Sequence, residues 1–294
     1  RNCDWSSDVC SSDLCESCGN GIGVFRPEAG VVIDWSSALG AGGALLLFAF
    51  LFWGVSLVRN DVSIVDSLWS LMFLLSAGAY ALLIEQPGPR TGWLIILVAV
   101  WAFRLSIYIT WRNHGEPEDY RYQAIRRRNQ PGFRFKSLYL VFVLQAALAW
   151  LISLPLMAAI SGQSTPGLLD YIGIALWTVG VLFEAIGDWQ LSRFRRNPDN
   201  RGKVMDTGLW RYTRHPNYFG NFTLWWGFYF IACSAGGVLT VLSPILMSVL
   251  LLRVSGVALL EKSIGERRPA YADYIRSTNA FFPGPRKRYE VSGS

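Results

Sequence analysis

EAIGDWQLSRFRRNPDNRGKVMDTGLWRYTRHPNYFGN, from Glu184 to Asn221, begins inside one apolar segment, crosses a short basic connection and enters the next apolar segment at Pro216. Its acids, arginines, His215 and asparagines therefore lie at the mouth of a helical membrane bundle. An ionisable side chain at mid-helix in hydrocarbon costs roughly 2.5–3.5 kcal/mol even on lenient insertion scales, so such groups have partners or a function. This stretch is where the sequence places the function.

Composition agrees. Of 294 residues, 52% are hydrophobic and only 16% charged, against about 25% charged in soluble domains. The net charge of +6 does not call for nucleic acid, because membrane proteins gather Lys and Arg in cytoplasmic loops. Residues 4–14, DWSSDVCSSDL, resemble a translated sequencing adapter and are set aside from the fold. The segment 1–37 is thus read as partly an artefact, and 38–294 as one membrane domain. Cys15 and Cys18 form a CxxC with no second CxxC or His pair, too little for a metal site. Cys233, alone in an apolar run, is read as packing.

From Leu39 the chain runs through apolar segments near the ~20 residues that cross a bilayer. They are Leu39–Val58, Val62–Ile84, Trp93–Thr110, Leu138–Ile160, Leu168–Trp189, Asn217–Ala235 and Val238–Leu260. The expectation is an all-α bundle of seven transmembrane helices. Cations collect between Arg112 and Lys136, between Arg193 and Arg214, and from Lys262 to Arg288, whereas the connections after the second, fourth and sixth helices hold only Arg90. The positive-inside rule then puts the N-terminus outside and the C-terminus in the cytoplasm.

Several spans carry a polar stripe. Trp101, Arg104 and Tyr108 share a face at i, i+3 and i+7; Glu184 and Asp188, and Asn217 and Asn221, repeat at i, i+4; Arg253 and Glu261 continue the pattern on the last helix. Asp66 sits a turn into the second. Such stripes face each other or water. They could be interhelical glue, Arg104 neutralising Asp66 or Arg253 neutralising Glu184. Clustered beside two arginine-rich connections, they equally suit an anionic cofactor entering from the cytosol to meet a lipophilic substrate, with guanidiniums on its phosphates. No Gly-rich strand-turn-helix fingerprint is present in the sequence, so a Rossmann domain is not the route.

GLWRYTRHPNYFGN (208–221), with GDWQLSRFR (187–195) and EKSIGERRPAYADYIRSTNAFFP (261–283), resembles the C-terminal half of the steroid 5-alpha-reductase family, notably its bacterial relatives. NDVSIVDSLW (60–69) and FRLSIYITWRNHGEPEDYRY (103–122) extend the resemblance over most of the chain after Leu39. RHPNY followed by Gly is shared with a wider superfamily of sterol reductases and isoprenylcysteine methyltransferases.

The resemblance implies a monomeric reductase of the bacterial inner membrane, with substrate among the helices of residues 38–160 and NADPH held by residues 168–283. For the cofactor it points to Arg104, Tyr108, Asp188, Arg195, Tyr212, Asn217, Asn221 and Arg253. Arg196, Arg214 and His215 are added as phosphate candidates on chemical grounds, and Glu184 and Glu261 complete the set. The implied reaction delivers hydride to the β carbon of a 3-oxo-4-ene steroid or related enone while an acid polarises the ketone. Steroid enzymes use a Gln-Glu pair and a Tyr there; the matching positions read Val65, Asp66 and Trp101. Asp66, kept neutral by burial, Trp101 and Tyr108 are the catalytic candidates. The alternatives are an S-adenosylmethionine-dependent methyltransferase of the isoprenylcysteine type, using RHPNY and Glu261, and a non-catalytic lipid binder or transporter.

Overall fold

A computed structural model describes residues 34–254 and 270–287, all-helical with no strand among them. Helix α1 (Trp35–Arg59) starts at Asp34, whose carboxylate accepts from the amides of Ser36 and Ser37 at 3.0 and 3.3 Å, satisfying donors that a helix start leaves open. It ends at Asn60, which takes the left-handed conformation with φ 53°. Then follow α2 (Ile64–Leu83), α3 (Thr91–Asn113), and α4 (Tyr120–Arg128), a short basic helix capped by Asp119. α5 (Phe133–Ser137), a π-helical turn at Leu138–Val143, α6 (Leu144–Ile152) and α7 (Leu154–Ser161) form one broken apolar rod. Beyond it lie α8 (Leu168–Arg196), α9 (Pro216–Ser234), α10 (Leu242–Val249) running into a second π-helical turn at Leu250–Val254, and α11 (Ala270–Ser277).

Five of these segments are long and apolar enough to cross a membrane: Trp35–Arg59, Ile64–Leu83, Thr91–Asn113, Phe133–Ser161 and Leu168–Arg196. The expected sixth span is α9, whose 19 residues are rich in aromatic and polar groups. The expected seventh begins as the shorter apolar stretch Val238–Arg253, and its remainder lies outside the described residues. Exposed Leu47, Phe50, Leu51, Phe103 and Ile107 give α1 and α3 apolar outer faces suited to lipid.

α8 runs seven residues past the expected end at Trp189, to Arg196. Hydropathy stops where the charges begin, but Gln, Leu and Arg are good helix formers and cations in a last turn complement the dipole. Asn197, restricted by Pro198, ends it.

α8 and α9 touch backbone to backbone along Gly173, Gly180 and Gly187. A Cβ on Gly180 would lie 2.5 Å from the carbonyl oxygen of Gly220, and one on Gly173 would lie 2.6 Å from that of Gly227. Small residues permit this approach where lipid removes the usual hydrophobic drive. The seam turns Glu184 and Asp188 toward Asn217 and Asn221. Beside it, Phe73, Trp101 and Trp225, all fully buried, join α2, α3 and α9 with centroids 4.6 to 5.7 Å apart.

At the opposite end of α8, fully buried Arg90 donates to both oxygens of Asp170, at 2.7 and 3.0 Å, and to the carbonyls of Ser164 and Thr165. Ser234 also donates to Asp170. This network ties α3, the α7–α8 turn and α9 together.

Candidate functional site

The glycine seam and α3 hold a compact polar cluster. Arg104 donates to Glu184 and, at 2.9 Å, to Asp188; Trp101 donates to Glu184 at 3.1 Å. Asn221 donates to the other Glu184 oxygen at 2.7 Å, and Asn217 reaches Asp188 at 3.4 Å. One guanidinium thus stands between two carboxylates. The side-chain carbonyl of Asn221 and Nε of Arg104 are buried without a hydrogen-bond partner among the described residues. Such groups are costly unless something completes them.

Arg104, Glu184, Asp188, Asn217 and Asn221 wall an inner cavity of about 440 Å³, together with Asp66, Tyr108, Arg112, Arg121, Tyr122 and Tyr218. Its other wing is apolar and includes Trp69, Leu148 and Met247, with Leu140, Val141, Leu250 and Leu251 from the two π-helical turns. π turns re-aim side chains and recur at functional sites; here both open onto the same space.

Asp66 is held by α4. Arg121 donates to one of its oxygens at 2.7 Å and Tyr122 to the other at 2.6 Å, while Arg121 also chelates Asp119 at 2.9 Å. The expected Arg104–Asp66 pairing is therefore replaced: Arg104 belongs to α8 and Asp66 to α4. Both oxygens of Asp66 thus accept from residues of α4. Burial raises the Tyr122 hydroxyl well above the ordinary tyrosine range, and the charge of Asp66 and the bond to it push the same way. Burial opposes ionisation of Asp119, but bonds from the Arg121 side chain and amide outweigh it and hold that carboxyl below its usual range. Glu118 straps α4 down, accepting from the Val62 amide at 3.0 Å and from Arg126 at 2.7 Å.

An outer hollow of about 740 Å³ lies between the ends of α3 and α8, lined by Tyr108, Trp111, Arg112, His114, Glu116, Ser192, Arg195 and Arg196, among others. Arg196 stacks over Trp111 at 4.8 Å. Tyr108 and Arg112 border both spaces, so the inner cavity and the outer hollow are neighbours across shared walls.

The structure thus brings Asp66, Arg104, Tyr108, Glu184, Asp188, Asn217 and Asn221 to one cavity, and Arg195 and Arg196 to the hollow beside it. Trp101 is fully buried behind the wall, its N–H committed to Glu184. Arg214 donates to the carbonyls of Ile275 and Thr278 at 2.9 and 2.6 Å, pinning the C-terminal segment to the start of α9 rather than lining either space. Tyr212 and Arg253 are exposed and line neither space. His215 is buried and stacks on Tyr218, centroids 5.5 Å apart and planes 6° apart. Glu261 lies outside the described residues. Sequence reading missed Arg121, Tyr122 and Tyr218; for Tyr218 a signal existed, since it stands one turn before Asn221 on the same face of α9.

A family model described as "Protein of unknown function (DUF1295)" matches residues 52–278. An uncharacterized protein of Schizosaccharomyces pombe is 27% identical over 273 residues, covering 82% of this chain and 78% of that protein. No solved structure matches.

Proposed function

The chain belongs to the DUF1295 family, and from that premise we propose that it is a membrane-embedded, NADPH-dependent reductase of an activated C=C bond. Its substrate is a 3-oxo-4-ene steroid or a related lipophilic enone. In this reading α9 and the segment from Val238 complete seven spans, with the N-terminus outside and the C-terminus in the cytoplasm of a bacterial inner-membrane protein.

The observation that carries the reading is the pairing of two adjoining spaces of different character. In the inner one, the orphaned carbonyl of Asn221 and the carboxylates of Glu184 and Asp188 are acceptors suited to the N–H groups of a carboxamide. In the outer one, Arg112, Arg195 and Arg196 outnumber Glu116, the charge balance that phosphates require. The residues present therefore fit a dinucleotide: Glu184, Asp188 and Asn221 would hold its carboxamide, and Arg112, Arg195 and Arg196 its phosphates. The bound cofactor supplies hydride. This chain's residues orient it, exclude water with the apolar wing and polarise the substrate carbonyl.

The test is turnover in detergent: NADPH with a 3-oxo-4-ene steroid or an acyclic enone, product read by mass. A gain of two hydrogens that requires NADPH supports the reading. Product absent with every enone, or transfer of a methyl group from S-adenosylmethionine to an isoprenylcysteine, overturns it.

A further inference from the structure

Three tyrosine hydroxyls stand on the wall of the inner cavity. Tyr108 lies 3.2 Å from the Ser192 hydroxyl, either of the two donating, and reaches the Asp188 carbonyl at 3.5 Å, while Tyr122 gives its hydrogen to Asp66 at 2.6 Å. Tyr218 has no hydroxyl hydrogen bond among the described residues, while its ring is held flat against His215. The charged groups acting on that hydroxyl are Arg112, Arg121 and Asp66. The remaining acid candidates are committed elsewhere: Trp101 to Glu184, and Asp66 to two donors of its own.

We infer that Tyr218, the last residue of the RHPNY run, is the proton donor to the substrate oxygen, a catalytic role assigned to it by neither the sequence reading nor the resemblance. Its fixed ring and open O–H make it the group on this wall best placed to meet a carbonyl. Asp66, Arg121 and Tyr122 act as positioning residues, setting the charge around it. The inference rests on the enone reading of the cavity. As hydride arrives at the β carbon from the reduced nicotinamide cofactor, the C=C electrons move toward oxygen. The oxygen takes the Tyr218 proton, giving an enol. The enol then returns its O–H proton to the tyrosinate as the α carbon takes one from water; C=O re-forms, and the net addition is one hydride and one proton.

The direct test needs no turnover. Equilenin, a steroid naphthol, presents in its ionised form an oxygen like that of an enolate and reports its binding by fluorescence. Tyr218→Phe keeps the ring and its stack on His215 while removing the donor. The variant should lose about 10- to 100-fold in equilenin affinity, the scale of one hydrogen bond to a charged oxygen. Affinity for the 3-deoxy counterpart should stay the same. With NADPH and enone, its kcat should fall roughly 10²- to 10⁴-fold, with KM little changed. Equal equilenin affinity in both proteins, a loss shared by the deoxy steroid, or no binding to wild type overturns the inference. If equilenin binding depends on Tyr218 but NADPH does not bind, the cofactor assignment fails while the oxygen site stands.

Discussion

Single residues in this bundle are read through their partners. Glu184, Asp188, Asn217 and Asn221 were legible because i, i+4 spacing fixes a shared face before any packing is known. Arg121 and Tyr122 were not, because their meeting with Asp66 depends on how a polar helix outside the spans folds back. Arg214 looked like a phosphate ligand for the same reason: nothing local shows that the C-terminal segment supplies its carbonyls. The Arg90–Asp170 pair makes a sharp prediction. Arg90→Met leaves a buried carboxylate without its cation and should cost about 3–5 kcal/mol, read as a lower thermal unfolding midpoint in detergent. Replacing both partners by apolar residues should recover much of that loss. Asp119 gives a pH dependence. Its carboxyl ionises more readily in the folded chain than in the unfolded one, so its contribution is present above the ordinary carboxylate range and fades as pH falls through the depressed value. The protection factors of α4 amides, taken relative to intrinsic exchange at each pH, should fall on acidification through that window, and Asp119→Asn should flatten the response.

Elements were legible to different degrees. Apolar length exposed α1, α2, α3 and α8 because hydropathy alone decides whether a segment can lie in lipid. The π-helical turns were hidden, since a one-residue widening follows from packing around the cavity and leaves no periodic signature. The α8–α9 seam was in plain sight as glycines seven apart, although spacing alone does not name the helix that fills the gap. Gly180→Leu forces a side chain into the Gly220 carbonyl and the Leu224 backbone. The helices must separate, which should open the Glu184–Asn221 contact and destabilise the bundle by about 1–3 kcal/mol, the scale of an overpacked core. Thermal unfolding of the variant beside Gly54→Leu, where a Cβ meets nothing within 4 Å, separates this effect from the general cost of a larger side chain.

For the whole molecule, the proposal is that the inner cavity and the cationic outer hollow, which share Tyr108 and Arg112, hold one ligand. The two differ in charge: the inner sets Asp66, Glu184 and Asp188 against Arg104, Arg112 and Arg121, whereas the outer, at the ends of α3 and α8, gathers Arg112, Arg195 and Arg196 against Glu116. Composition and charge distribution announced a membrane protein with one basic end. They could not announce two spaces that share Tyr108 and Arg112 as a wall, an arrangement that exists only once the helices are packed. The most direct measurement is a fluorescence titration of the detergent-solubilised protein with NADPH, NADH and S-adenosylmethionine, repeated on Arg195→Ala/Arg196→Ala. The account predicts saturable NADPH binding, weaker NADH binding, and a loss of about 10- to 100-fold for NADPH in the double variant. NADPH affinity that is absent, or unchanged by removal of both arginines, would contradict it.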